Sequence, residues 1–197
     1  MKRFIVLEGI DGAGTTTQAR MLADWLPQTV CRAAEPTQYR IGRLLRAVMS
    51  KVELEMSDRQ LALLFAADRE DHQKDIRWAL DNDCWVVQDR YVGSSLVYQH
   101  AVQQLVHQLN EPFLPPDLTI VLNVSADTAL RRRHLRGLKP ELFETEDQQR
   151  RFAQQYRRLH EMLPLHNISY VDAEQSIDSL HQTIVKLVQS RFVLLFN

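Results

Sequence analysis

Gly9 and Gly14 enclose four residues and are followed by Thr15 and Thr16. That is the spacing of a phosphate-binding loop, G-x-x-x-x-G-K-[ST], in every position but one. Gly9, Gly12 and Gly14 let the backbone approach a ligand closely. Successive N–H groups of Gly9, Ile10, Asp11, Gly12, Ala13, Gly14, Thr15, Thr16 and Thr17, at the mouth of a helix, suit a polyphosphate. The Thr16 hydroxyl would serve a phosphate-bound Mg²⁺. The exception is Thr15, which stands where the pattern asks for lysine. A neutral hydroxyl donates a hydrogen bond roughly half as strong as a charge-assisted one. Another cation is therefore expected near the transferred phosphoryl group. Taken alone, the loop also fits a tight turn without a ligand.

Further polar residues recur at useful spacings. Asp89-Arg90 follows the apolar run "CWVVQ"; a carboxylate there suits Mg²⁺ through water, and an arginine suits bidentate grip of a phosphate. Phe65 and Arg69 are four apart, as are Ser94 and Tyr98 with Ser95 adjacent, so each pair shares a helical face. An aromatic beside a polar anchor suits a flat heteroaromatic ligand, although most helical phenylalanines are core. In "RRRHLRGLKPELFETED" (131–147), Arg132 and Arg136 are four apart and Arg133 and Arg136 three. A solvated basic face is the plainer reading of such a run.

Strand-like runs at 3–8, 28–34, 84–88, 117–124 and 168–173 alternate with helical segments. Helices are expected from about Thr16 to Trp25, over 58–83 behind Ser57 as N-cap, after "DRY", through the arginine-rich stretch to about His160, and at the C-terminus. This alternation predicts an α/β fold with a parallel sheet covered on both faces, whose ligand lies outside the carboxyl ends of the strands. No repeat or linker divides residues 1–197, so a single domain is expected. A net charge of −1 and 45% hydrophobic residues argue against a nucleic-acid or membrane partner. No apolar run approaches the roughly 18 residues of a membrane span. Cys31 and Cys84 lack metal-ligand spacing and read as small buried hydrophobes, which with no evident signal peptide suggests a cytoplasmic setting.

Four stretches in order, "FIVLEGIDGAGTTTQ" (4–18), "LLFAADREDH" (63–72), "VVQDRYVGSSLVYQ" (86–99) and "PDLTIVLNVSADTALRR" (116–132), closely resemble thymidylate kinases over nearly the whole chain. The resemblance implies a three-layer P-loop kinase fold: a five-stranded parallel sheet flanked by helices, with a small helical lid at roughly 134–147. It also implies ATP and dTMP as substrates, Mg²⁺ and a homodimer. It places Phe65 on the thymine ring, Arg69 toward the base or phosphate, Ser95 near the thymine edge with Ser94 also among the substrate contacts, Tyr98 against the sugar, and Asp11 on the 3′-hydroxyl. Asp89 and Arg90 would act on metal and acceptor phosphate, and Thr16 on the metal. Arg46, with Arg43 as the alternative, takes the arginine position that contacts the acceptor phosphate, and His72 reads as a structural residue.

Family members differ in keeping a catalytic arginine in the loop or in the lid. Gly12 occupies the loop position, which points to the lid: Arg136, then Arg132, with Lys139 as a possible extra cation. An acceptor that is already an anionic phosphate needs no general base. Two departures, Thr15 and the "EPTQYRIGRLLR" stretch (35–46), motivate alternatives: a catalytically impaired nucleotide sensor, or a kinase for another nucleoside monophosphate. No N-K-x-D guanine motif occurs.

Overall fold

The computed structural model describes residues 3–50, 56–137 and 145–192. Five strands, β1 (Phe4–Glu8), β2 (Val30–Ala34), β3 (Trp85–Asp89), β4 (Leu118–Asn123) and β5 (Ile168–Asp172), form one parallel sheet in the order β2-β3-β1-β4-β5. β1 and β3 are buried at every position, as their unbroken apolar runs require of central strands with helices on both faces. The edge strands β2 and β5 are only partly covered. Strand order reverses at β1, which has β3 on one side and β4 on the other. A crevice outside the carboxyl end of β1 is the natural ligand site of such a sheet.

Helix α1 (Thr15–Trp25) starts one residue after Gly14. The chain then runs through α2 (Arg40–Met49) and α3 (Asp58–Asp81). Ser57 and Gln60 form a reciprocal capping box at the start of α3, which fixes its entry. α2 was not expected from the sequence. Leu45 and Val48, three apart on one face, pack with Leu61 in a small separate core, and that burial makes the stretch helical.

Two expected helices are interrupted. After β3 the chain forms α4 (Val92–Tyr98), a 3₁₀ turn at His100–Val102, then α5 (Gln103–Asn110). The arginine-rich stretch forms α6 (Ala126–Leu135), α7 (Glu146–Arg157) and α8 (Leu159–Met162). α6 stops before Gly137, whose φ of 64° ends a helix, and α7 restarts behind a Thr145–Gln148 capping box. The expected lid falls between them; its residues 138–144, Lys139 included, lie outside the described residues. α9 (Ile177–Arg191) closes the fold against α1 and β5. Among the described residues no helix is long and apolar enough to cross a membrane. Cys84 is buried and Cys31 half-buried, both unbridged.

Candidate active site

The turn between β1 and α1 carries the glycine-rich loop. Gly12 and Gly14 have φ of 92° and 102°, conformations that favour glycine. A Cβ on Gly12 would also lie 2.4 Å from the carbonyl oxygen of Ala129 on α6. Ile10 and Ala13 are buried in the core, and the Ala13 N–H donates to Ile10 O at 3.0 Å. The expectation that the whole run 9–17 faces phosphate is thus narrowed: Ile10 and Ala13 shape the turn, and the Ala13 amide is already used. Thr15 is buried, at 5% exposure, whereas Thr16 faces solvent.

The Thr16 hydroxyl donates to Asp89 Oδ2 at the end of β3. The other oxygen, Asp89 Oδ1, is buried without a hydrogen-bond partner. An unpaired buried oxygen costs roughly 1–3 kcal/mol, and a hard cation held by a hydroxyl and a carboxylate would relieve it. The pair therefore fits Mg²⁺. Asp89→Asn is expected to raise the Mg²⁺ concentration needed for half-maximal turnover by about tenfold, read from a Mg²⁺ titration at saturating nucleotides. An unchanged requirement would place the metal elsewhere.

Arg90 adopts a left-handed backbone, φ 66°, which costs a non-glycine residue roughly 1–2 kcal/mol. Two hydrogen bonds hold it: Gln88 Nε2 to Arg90 O at 2.8 Å and Arg90 N to Leu7 O at 2.9 Å. The turn aims the guanidinium back at the loop. Nη2 donates to Asp11 Oδ1 at 2.6 Å, and Nη1 to Gly9 O at 2.9 Å, Tyr98 Oη at 3.2 Å and Ser94 Oγ at 3.3 Å. Burial works against this charge, but Tyr98, Asp11, Tyr156 and Asp89 around it more than offset burial and keep it firmly protonated.

Beneath Arg90 lies Glu8, fully buried. Its Oε1 accepts from the N–H groups of Tyr91 (2.9 Å) and Ser94 (3.1 Å), and its Oε2 from Ser94 Oγ (2.7 Å) and Tyr156 Oη (3.1 Å). Burial raises this carboxyl, with the Ser94 hydroxyl, Arg90 and the two N–H groups pulling the other way.

One cleft opens beside Arg90, walled by Asp11, Phe65, Arg69, Ser94, Ser95 and Tyr98. It gathers the predicted acceptor-side residues except Arg46. Arg69 is buried and held by Glu35 (Nε 2.8 Å, Nη2 2.7 Å), Ser95 Oγ (Nη2 3.3 Å) and Asn110, with Tyr91 stacked at 5.0 Å. Most of its donors are therefore committed to protein. Gln99 lines the same cleft, and both atoms of its fully buried amide lack partners.

The Glu35-Pro36-Thr37 turn is bolted to α3. Glu35 bonds Arg69 and His72 (3.1 Å), and Thr37 bonds Asp68 through N–H (2.7 Å) and hydroxyl. His72 is structural, as expected. Arg46 donates to Pro36 O and lines a groove with Thr16, Thr37 and Asp89. Arg43 instead lies on an outer face with Asp71 and Lys74, so Arg46 is the arginine turned toward the centre.

A second cleft borders the loop, walled by Gly12, Gly14, Thr17, Arg132, Arg136 and Ile177. Here the expectation for Arg132 changes. Its Nη2 donates to the carbonyls of Ala173 (2.8 Å) and Gln175 (3.3 Å), so it is tied to the loop after β5. Arg136, the C-cap of α6, is exposed; its backbone N–H donates to Arg133 O, and its side chain has no hydrogen bond or ion pair among the described residues. Glu8, Gln99, Asn110, Tyr156 and Gln175 were missed. Glu8, a charge ending an otherwise apolar strand, carried the one usable signal.

Comparisons with known proteins follow this geometry. Residues 7–184 match the family model for thymidylate kinase. A probable thymidylate kinase of Pyrococcus horikoshii is 40% identical over 202 residues, covering 94% of this chain and 95% of its own. One from Thermococcus gammatolerans is 38% identical, covering 96% and 97%. A thymidylate kinase of Synechococcus sp. is also 38% identical, covering 92% and 94%. The solved structure of thymidylate kinase from Candida albicans superposes with a TM-score of 0.81 at 22% identity, covering 96% and 92%, so the fold is shared.

Proposed function

The chain belongs to the thymidylate kinase family, and from that premise we propose that it transfers the terminal phosphoryl group of ATP to dTMP, giving ADP and dTDP. The observation that carries this reading is that one glycine-rich loop walls two clefts, one through Asp11 beside Arg90 and the other through Gly12, Gly14 and Thr17, with the Thr16–Asp89 pair in an adjoining groove. ATP occupies the Arg132–Ile177 side. The thymine ring of dTMP lies on Phe65 with Arg69 and Gln99 facing its polar edge, and Tyr98 stands against the sugar. Arg69 has few donors left, which suits a base offering it a carbonyl. On binding, Asp11 gives up Arg90 for the 3′-hydroxyl, and Arg90 with Arg46 takes the acceptor phosphate.

That phosphate is already anionic, so this chain's residues position and neutralise charge rather than move a proton. Mg²⁺ held by Thr16 and Asp89 neutralises phosphate charge when bound. Arg136 supplies the cation that Thr15 does not. The usual homodimer belongs to this reading; the exposed Leu44 and Leu63 give α2 and α3 apolar surface for it. Two unbridged cysteines accord with a cytoplasmic setting. Coupled ADP release with ATP and Mg²⁺ tests the reaction: dTMP is expected to give turnover well above a no-acceptor control and above dUMP or dCMP. A dTMP rate equal to the no-acceptor control defeats it.

A further inference from the structure

Resting on the kinase reading above, we propose that Tyr156 is a positioning residue for acceptor binding: its phenol holds the Glu8, Ser94 and Arg90 side chains in the arrangement that grips the acceptor phosphate. Tyr156 lies on α7, 66 residues beyond Arg90 in the chain. No spacing rule connects the two. In the fold, its buried hydroxyl stands 3.1 Å from Glu8 Oε2, 2.9 Å from Ser94 Oγ and 3.5 Å from Arg90 Nη1. These partners come from β1, α4 and the turn after β3, so one hydroxyl touches three elements at once.

Each partner then acts on the acceptor side. Glu8 gathers the N–H groups of Tyr91 and Ser94 that open α4, so the orientation of this carboxylate sets where the helix begins relative to Arg90. Ser94 Oγ donates to Glu8 and accepts from Arg90 Nη1 at 3.3 Å. Burial keeps the Tyr156 phenol neutral and hence a donor. One turn earlier on α7, the Phe152 ring packs on Tyr98 at 4.7 Å, so the same helix braces the wall of the acceptor cleft. Tyr156 walls neither cleft, but its partners Ser94 and Arg90 wall the acceptor cleft and none of its partners walls the donor cleft. Its influence should therefore fall on dTMP and spare ATP, a split that a general loss of packing would not produce.

Tyr156→Phe removes one oxygen and little volume. The Michaelis constant for dTMP is expected to rise about tenfold, equal to about 1.4 kcal/mol, with that for ATP within twofold. Calorimetric binding of dTMP without ATP should weaken by the same factor, and the melting temperature should stay within a few degrees. Glu8→Gln, which keeps the volume and removes the charge, should show the same split and serves if the first variant does not fold. Unchanged dTMP affinity, or equal changes for dTMP and ATP, overturns the proposal. A wild-type enzyme that binds dTMP without turning it over defeats the kinase reading instead, and the calorimetry then still decides the role of Tyr156.

Discussion

Replacing Arg90 by alanine is expected to lower kcat/KM for dTMP on the order of a thousandfold, about 4 kcal/mol. The side chain is a cation that the fold takes trouble to place. It sits on a left-handed backbone held by Gln88 and Leu7, and its guanidinium spans Asp11, Gly9, Ser94 and Tyr98. Partly desolvated donors aimed at developing charge are the strongest single source of such catalysis. Arg90→Lys keeps the charge but loses the planar fork, and should recover no more than about a tenth of the wild-type value. Steady-state kinetics with a melting curve checks both. A loss below tenfold for the alanine variant would shift the acceptor phosphate to Arg46.

Arg136→Ala is expected to reduce kcat by on the order of a thousandfold while leaving the Michaelis constant for ATP nearly unchanged, the pattern of a cation that acts on the transferred phosphoryl group. The informative experiment pairs it with Thr15→Lys. Position 15 is buried, so a lysine must thread out of that pocket to reach phosphate, and Thr15→Lys alone should leave the rate unchanged or lower. In the Arg136→Ala background the same change should restore at least tenfold. That non-additivity is what a shared task predicts. A gain of about a hundredfold from Thr15→Lys in the wild type, about 3 kcal/mol, would show instead that position 15 is merely impaired.

The parts of the site legible in the sequence are those that are local in it. A strand, a glycine turn and a helix occupy consecutive residues, so the spacing of Gly9, Gly14 and Thr16 sufficed to locate the loop. The helical period put Phe65 with Arg69, and Ser94 with Tyr98, on shared faces, and the family resemblance supplied their expected roles. What stayed hidden depends on contacts between distant residues. Glu8 and Tyr156 are 148 residues apart, and Arg69 and Asn110 are 41. The arginine-rich run shows the same limit. Its spacing allowed Arg132 and Arg136 equally, and only the packing of α6 against the loop after β5 separates a tethered side chain from an available one. α2 was not legible because the apolar face of Leu45 and Val48 is short and the residue that buries it, Leu61, lies on another helix.

Gly12 carries a consequence for how this chain can change. A side chain there would have to occupy the space of the Ala129 carbonyl, on a helix that also presents Arg132 and Arg136. Family members with an arginine in the loop and those with one in the lid are therefore not single-substitution neighbours, starting from this fold. Any lineage placing a side chain at position 12 must first draw that helix back, and Arg132 and Arg136 with it. The glycine at position 12 makes the choice of catalytic arm a ratchet.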